Sequence, residues 1–193
     1  MEKEFWENRW ETGETGWDIG SISTPLKAYI DQLEDTAVRI LVPGCGNAYE
    51  AEYLWENGFK NTWIVEISKG AVDAFTNRYP AFPERQIILA DFFDLNPENH
   101  QFDLILEQTF FCAIHPSKRA DYAAKMHQLI RSGGKLVGLL FDFPLESGPP
   151  FGGKKEEYLG YFEPYFDIKT LEKAHNSIEP RLGKEFFMIL ERK

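Results

Sequence analysis

Apolar residues along this chain fall into short runs, and stretches with helical spacing separate them. Arg39–Val42, Thr62–Ile67, Gln86–Leu89, Phe102–Leu106 and Lys135–Phe141 are mostly apolar runs of strand length. Such runs mark strands covered on both faces. Between them lie three helical segments. Ala48–Asn57 places Ala51, Tyr53, Leu54 and Trp55 as its apolar positions and meets a C-terminal glycine at Gly58. Ser68–Arg78 begins on a capping serine and stops before Pro80. Ser117–Ile130 is the third, and Gly133-Gly134 opens the strand after it. A helix from Lys154 to Tyr161 and strands at Phe166–Leu171 and Phe186–Glu191 close the pattern. The last two strands have no helix between them, which predicts a hairpin and hence an antiparallel element at one edge. The rest predicts an α/β fold with a mostly parallel, doubly wound sheet. Ligands of such sheets bind beyond the carboxyl ends of the strands. The residues after Val42, Val65, Leu89 and Leu106 are therefore expected to line one cleft.

The first residues read differently. Trp6, Trp10 and Trp17 stand among Glu, Gly and Thr, with turn signals at Gly13 and Gly16. A short helix over Lys3–Glu11 fits the spacing of Phe5, Trp6, Arg9 and Trp10. A second follows Pro25, with Thr24 as its cap and Leu26, Tyr29, Ile30 and Leu33 on one face. The 193 residues suit one domain over 1–193, in which 1–35 form an arm. With 43% hydrophobic residues the chain can fill a core, and its net charge of -10 disfavours nucleic acid and anionic membranes as partners. No segment approaches the ~20 apolar residues of a membrane span. Cys45 and Cys112 form no CxxC pair, so neither a zinc site nor any other metal site is expected. Together with the lack of an apolar leader, this predicts a cytoplasmic protein, read as a monomer acting on a small molecule.

Candidate chemistry starts at Pro43-Gly44-Cys45-Gly46-Asn47, which follows the first strand and opens a helix. Its glycines allow positive φ and a close backbone approach to a ligand. A dinucleotide loop needs a third glycine where this chain has Tyr49, so a pyrophosphate is disfavoured. Glu66 ends the second strand, where a carboxylate can accept from ribose hydroxyls. Asp91 follows the third strand and can accept from an adenine amino group, with Phe92 covering the ring and Phe93 filling core. Loop and acids together point to a nucleoside that lacks a pyrophosphate.

Val42-Pro43-Gly44-Cys45-Gly46, Asp91-Phe92-Phe93, Phe102-Asp103-Leu104-Ile105, Thr109-Phe110-Phe111-Cys112-Ala113-Ile114 with Pro116, and Gly148-Pro149-Pro150-Phe151 resemble the thiopurine S-methyltransferase family. The resemblance covers nearly the whole chain, and it is strongest to the plant halide and thiol methyltransferases. It implies a seven-stranded Rossmann-like class I methyltransferase fold, with S-adenosylmethionine as cofactor and S-adenosylhomocysteine as product. It further implies that Trp6, Trp10 and Trp17 close over the cofactor and that Gly44 and Gly46 hold its amino-acid part. Glu66 would take the ribose, Asp91 and Phe92 the adenine, and Gln108 would face the cofactor. Tryptophan faces suit a sulfonium cation.

Thiopurine enzymes of that family carry Asp-Arg where this chain has Glu107-Gln108, and the plant enzymes also lack the arginine. The expected acceptor is accordingly a small thiol or halide. Another small nucleophile, such as a thiopurine-like compound, an amine, a hydroxyl or a metalloid, and a non-catalytic cofactor-binding module are the alternatives. A thiol with a pKa near ~8.5 is partly ionised at neutral pH, and a halide needs no base. No residue is expected to be an indispensable base; His115 is the weak candidate, and His100, His127 and His175 are unremarkable. Trp10, Phe110, Phe111, Phe141 and Phe151 are the expected apolar walls of the acceptor pocket, and Gly148–Gly153 a candidate lid. Cys112 is expected as a small buried residue and Cys45 as packing beneath the loop.

Overall fold

The computed structural model describes residues 3–146 and 148–193. A seven-stranded sheet runs in the order β3-β2-β1-β4-β5-β7-β6. Its strands are β1 (Ile40–Pro43), β2 (Thr62–Glu66), β3 (Ile87–Leu89), β4 (Phe102–Gln108), β5 (Ile130–Phe141), β6 (Phe166–Lys173) and β7 (Glu185–Arg192). The first five pair in parallel, and β7 runs antiparallel to both β5 and β6. The antiparallel strand therefore lies one place in from the edge, with β6 outermost. Order reverses between β1 and β4, so the strand ends around Pro43 and Gln108 form the switch-point crevice.

The helices are α1 (Lys3–Thr12), α2 (Thr24–Ile30), α3 (Tyr49–Glu56), α4 (Lys69–Arg78), α5 (Arg119–Leu129) and α6 (Lys155–Phe162). Local sequence explains several boundaries. Ser68 caps α4 by accepting from the Ala71 amide. At α2 the capping position is Ser23, one residue before the expected Thr24, and Pro25 occupies the first turn. The expected helix over Ser117–Ile130 is split, because Pro116–Lys118 forms a 3-10 turn that His115 caps. β5 begins at Ile130, earlier than its apolar run, and carries Gly133-Gly134 through a register irregularity against β4.

Two apolar layers sandwich the sheet. Leu41, Ile105, Leu136 and Met188 face a layer built with Tyr122, Met126, Tyr158 and Phe162. Ile40, Val42, Ile64 and Leu106 face the other, with Leu26, Ile30, Leu54 and Phe75. Such burial on both faces is what continuous apolar strands predict, at roughly 25 cal/mol per Å² removed from water. Among the described residues no helix is long and apolar enough to cross a membrane.

Candidate active site

The carboxyl ends of β1, β2, β3 and β4 open into one cavity of about 1100 Å³. That is large enough for a nucleoside cofactor together with a small second substrate. Its floor is the glycine loop. Gly44 and Gly46 have φ of +54° and +51°. A Cβ on Gly44 would overlap the Phe110 ring, and one on Gly46 would sit 3.3 Å from Trp10. Both positions thus need glycine for conformation and for clearance.

Glu66 at the end of β2 is buried and joins strand to loop. Its Oε1 accepts from the amides of Ile67 (2.8 Å) and Ser68 (3.0 Å), and its Oε2 accepts from Gly46 at 3.0 Å. Burial raises its pKa, and the three amides oppose that shift. Lone-pair capacity remains on Oε2, on the cavity wall. Asp91 Oδ1 accepts from the Phe93 amide at 2.9 Å, capping the 3-10 turn Phe92–Asp94. Asp91 therefore fixes its own turn and lines the cavity as well. Phe92 is buried among Phe93, Phe110 and Tyr122 yet reaches the wall. Phe93, expected in the core, lines the cavity too and is only partly buried.

The arm folds over this floor. Trp6, Trp10 and Trp17 line the cavity and meet edge-to-face, with centroids 5.6 Å apart for Trp6–Trp17 and 6.3 Å for Trp10–Trp17. Trp10 rests on α4 at Gly70, where a Cβ would come within 2.9 Å of the Trp10 side chain. Glu7 accepts from the Gly70 amide at 3.2 Å, one of the free donors at a helix start. Asp18 accepts from Asn47 Nδ2 at 2.5 Å and from the Tyr49 hydroxyl at 3.3 Å. Tyr49, which replaces a third glycine, thereby helps hold the arm. Arg181 donates to the Trp17 carbonyl at 3.0 Å and pairs with buried Glu185 at 3.5 Å.

At the opposite end the wall is mostly apolar: Phe110, Cys112, Ile114, Phe141, Pro149 and Pro150. His115 stands at its rim, with Nδ1 2.9 Å from the Ser117 hydroxyl. Cys112 is buried, its thiol donating to the Thr109 carbonyl at 3.2 Å, and burial pushes its pKa up. Three expected positions do not line this main cavity. Phe111 is a core side chain packed against Tyr122 of α5 and Tyr158 and Phe162 of α6. Phe151 is buried against His115, and its neighbours Pro149 and Pro150 form the wall instead. Gln108 lines a smaller annexe at the glycine loop, which shares Trp17, Gly44, Gly46, Thr109 and Arg181 with the main cavity. Nor is Gly148–Gly153 a free lid at its second half. Phe151 N–H donates to Cys112 O at 2.8 Å, and Gly153 N–H to Phe143 O at 2.9 Å.

Sequence reasoning missed Asp18, Glu107, Arg119 and Arg181. Glu107 is fully buried: Oε1 accepts from the amides of Phe110 (2.8 Å) and Phe111 (2.9 Å), and Oε2 accepts from the Tyr122 hydroxyl. Burial pushes its carboxyl up to about 7. It supports the turn that carries Phe110 across Gly44, and Thr109 in that turn has a φ of +57°. In the sequence this shows only as an acid that ends an apolar run, Leu104-Ile105-Leu106-Glu107.

The family profile described as thiopurine S-methyltransferase matches residues 1–189. The chain belongs to that family. It is an S-adenosylmethionine-dependent methyltransferase. Among curated proteins it is 33% identical to a probable thiol methyltransferase 2 of Arabidopsis thaliana, over 93% of this chain and 81% of the relative. It is 32% identical to thiocyanate methyltransferase 1 of Brassica oleracea, over 96% and 83%. A thiopurine S-methyltransferase of Pseudomonas aeruginosa is 28% identical, over 90% and 88%. Among solved structures, the Burkholderia thailandensis 1,6-didemethyltoxoflavin-N1-methyltransferase, with S-adenosylhomocysteine bound, superposes with a TM-score of 0.78 at 18% identity, covering 99% of this chain and 86% of that one. A TehB-like methyltransferase from Corynebacterium glutamicum gives 0.68 at 17% identity, covering 99% and 98%. These likenesses place the chain in the class I methyltransferase fold.

Proposed function

We propose that this enzyme methylates small thiols, hydrosulfide, or soft anions such as thiocyanate and iodide. One observation carries the reading: a single cavity joins strand-end carboxylates to an apolar wall of Phe110, Phe141, Ile114 and Pro149-Pro150. The carboxylate end suits a nucleoside. Glu66 has acceptor capacity for ribose hydroxyls, Asp91 has a second carboxylate oxygen for an adenine amino group, and Phe92 offers a face to the ring. Gly44 and Gly46 leave room where any Cβ would intrude. Trp6, Trp10 and Trp17 present aromatic surface to a cation.

S-adenosylmethionine supplies an electrophilic methyl on sulfonium. The protein's part is to orient the acceptor in line and to keep water out. An apolar wall strips hydration from a soft anion, which raises its nucleophilicity. A thiolate or halide needs no proton removed at the moment of transfer, so His115 acts at most on neutral thiols at the rim. Two relatives named for thiol and thiocyanate transfer support this acceptor class. We read the enzyme as cytoplasmic, in keeping with its two free cysteines, and as a monomer.

A panel of hydrosulfide, thiocyanate, iodide and an aryl thiol, with methyl-labelled cofactor, tests the reading. Turnover with the small acceptors is expected, and folded Glu66→Ala or Asp91→Ala variants should lose most of it through weaker cofactor binding. Native-like activity in both variants would remove these carboxylates from the cofactor site.

A further inference from the structure

Arg119 is fully buried at the start of α5, outside the cavity lining, and its charge has three partners. Its Nη1 donates to Glu157 of α6 at 2.8 Å. Its Nη2 donates to the carbonyls of Phe151 (3.2 Å) and Gly152 (2.8 Å). Its guanidinium also stacks 4.7 Å from the Phe111 ring centroid. Burying a cation is costly unless every contact is good, so a fully buried arginine needs a reason beyond filling space. The geometry supplies one. The acceptor wall consists of two strips, Phe110–His115 and Pro149-Pro150, and neither is part of the sheet. One backbone bond, Phe151 N–H to Cys112 O, joins them directly. Arg119 grips the second strip just past its prolines and presses on Phe111 in the first.

We infer that Arg119 is a positioning residue for acceptor recognition: it sets the spacing between the Phe110–His115 and Pro149-Pro150 strips, and so the width of the acceptor pocket. The planar fork of arginine holds two carbonyls and a carboxylate from separate nitrogens at a fixed spacing, whereas a lysine ammonium offers its three donors from one nitrogen on a flexible stem. The contacts all lie on the acceptor side; none reaches the glycine loop, Glu66 or Asp91. The inference rests on the acceptor reading above.

The test measures acceptor KM and kcat for hydrosulfide and for a bulkier aryl thiol in native, Arg119→Met and Arg119→Lys proteins. S-adenosylhomocysteine affinity and amide exchange at Phe151 and Gly153 are followed alongside. Arg119→Met should raise acceptor KM by about tenfold or more and narrow the discrimination between the two thiols. Its kcat should stay within about threefold and its S-adenosylhomocysteine affinity within about twofold, because only acceptor binding is disturbed. Arg119→Lys should recover part of the loss. If Arg119→Met does not fold, Glu157→Gln carries the test, with an acceptor KM raised about threefold by loosening the same fork. Native KM and native discrimination in the folded variants would overturn the inference, whatever their melting temperatures. Equal losses of acceptor and S-adenosylhomocysteine binding would overturn it too, since they mark a general collapse. Exchange needs no turnover and so separates two failures. Faster exchange in Arg119→Met, with native protein inactive on every acceptor, breaks the functional reading and the inference with it. Unchanged exchange breaks the clamp alone.

Discussion

The two ends of the cavity are built by different means. At the cofactor end the backbone does the shaping: two left-handed glycines, three strand termini and helix-start amides place Glu66 and Asp91. The contacts that place these two carboxylates fall within one strand-loop-helix unit or between adjacent strands, and the arm then folds over them through Glu7, Trp10 and Asp18. At the acceptor end the wall hangs on buried polar side chains. Glu107 holds the Phe110 and Phe111 amides, and Arg119 holds the Phe151 and Gly152 carbonyls. One end is fixed by topology, which many chains share. The other is fixed by particular buried side chains, Glu107 within its own turn and Arg119 across more than thirty residues, which can change without disturbing the sheet. A common donor with a variable acceptor is the expected outcome of that division.

Gly44→Ala should break the cofactor end most severely. It puts a Cβ into the Phe110 ring at a φ that L-residues avoid, and S-adenosylhomocysteine affinity should fall by about a hundredfold or more. Calorimetric titration reads this; an affinity within tenfold of native would refute the clearance argument. Phe111→Ala should act on stability instead, at a cost of about 3–5 kcal/mol in denaturant unfolding, because the ring is core and not wall. A loss of acceptor selectivity without a loss of stability would return Phe111 to the pocket.

Glu107 makes a pH-dependent prediction. Burial raises its carboxyl to about 7 from the ordinary 4.5, so the folded state binds the proton more tightly than the unfolded state. Its contribution to stability is fully present below the unfolded value and is lost as pH rises through 7. Burial shifts Glu50 and Glu66 in the same direction. Glu107→Gln should therefore gain roughly 1–3 kcal/mol on native protein at pH 8, and the gap should close toward pH 4.5. A gap independent of pH would show that the carboxylate is not desolvated. The smallest effect belongs to the arm: Gly70→Ala pushes on Trp10 and should weaken S-adenosylhomocysteine binding several-fold, by about 1 kcal/mol, with the melting temperature unchanged.

The same division explains what could be read in advance. Strand and helix alternation, Gly44, Gly46 and the Ser68 cap are local signals, and they located the sheet and its crevice. Tyr49 was legible as a residue that excludes a pyrophosphate, but not as the partner of Asp18, because that pairing spans the arm and the loop. Phe110 and Phe111 are neighbours of one residue type, and only the turn held by Glu107 decides which of them faces the cavity. Arg119 and Arg181 gave no signal, since the partners that tie them to the site lie tens of residues away in sequence: Phe151, Gly152 and Glu157 for one, Trp17 for the other, although Arg181 also pairs with nearby Glu185. Gly148–Gly153 looked like a lid from its glycines and prolines, whereas the bonds that pin its second half come from Cys112, Phe143 and Arg119.

Transfer of labelled methyl from S-adenosylmethionine to hydrosulfide, thiocyanate or iodide, followed as volatile methylated product, tests the central claim most directly. The account predicts turnover with at least one of these acceptors, saturable in both substrates and inhibited by S-adenosylhomocysteine. Tight S-adenosylhomocysteine binding with no methylation of any thiol, thiocyanate or halide would contradict it.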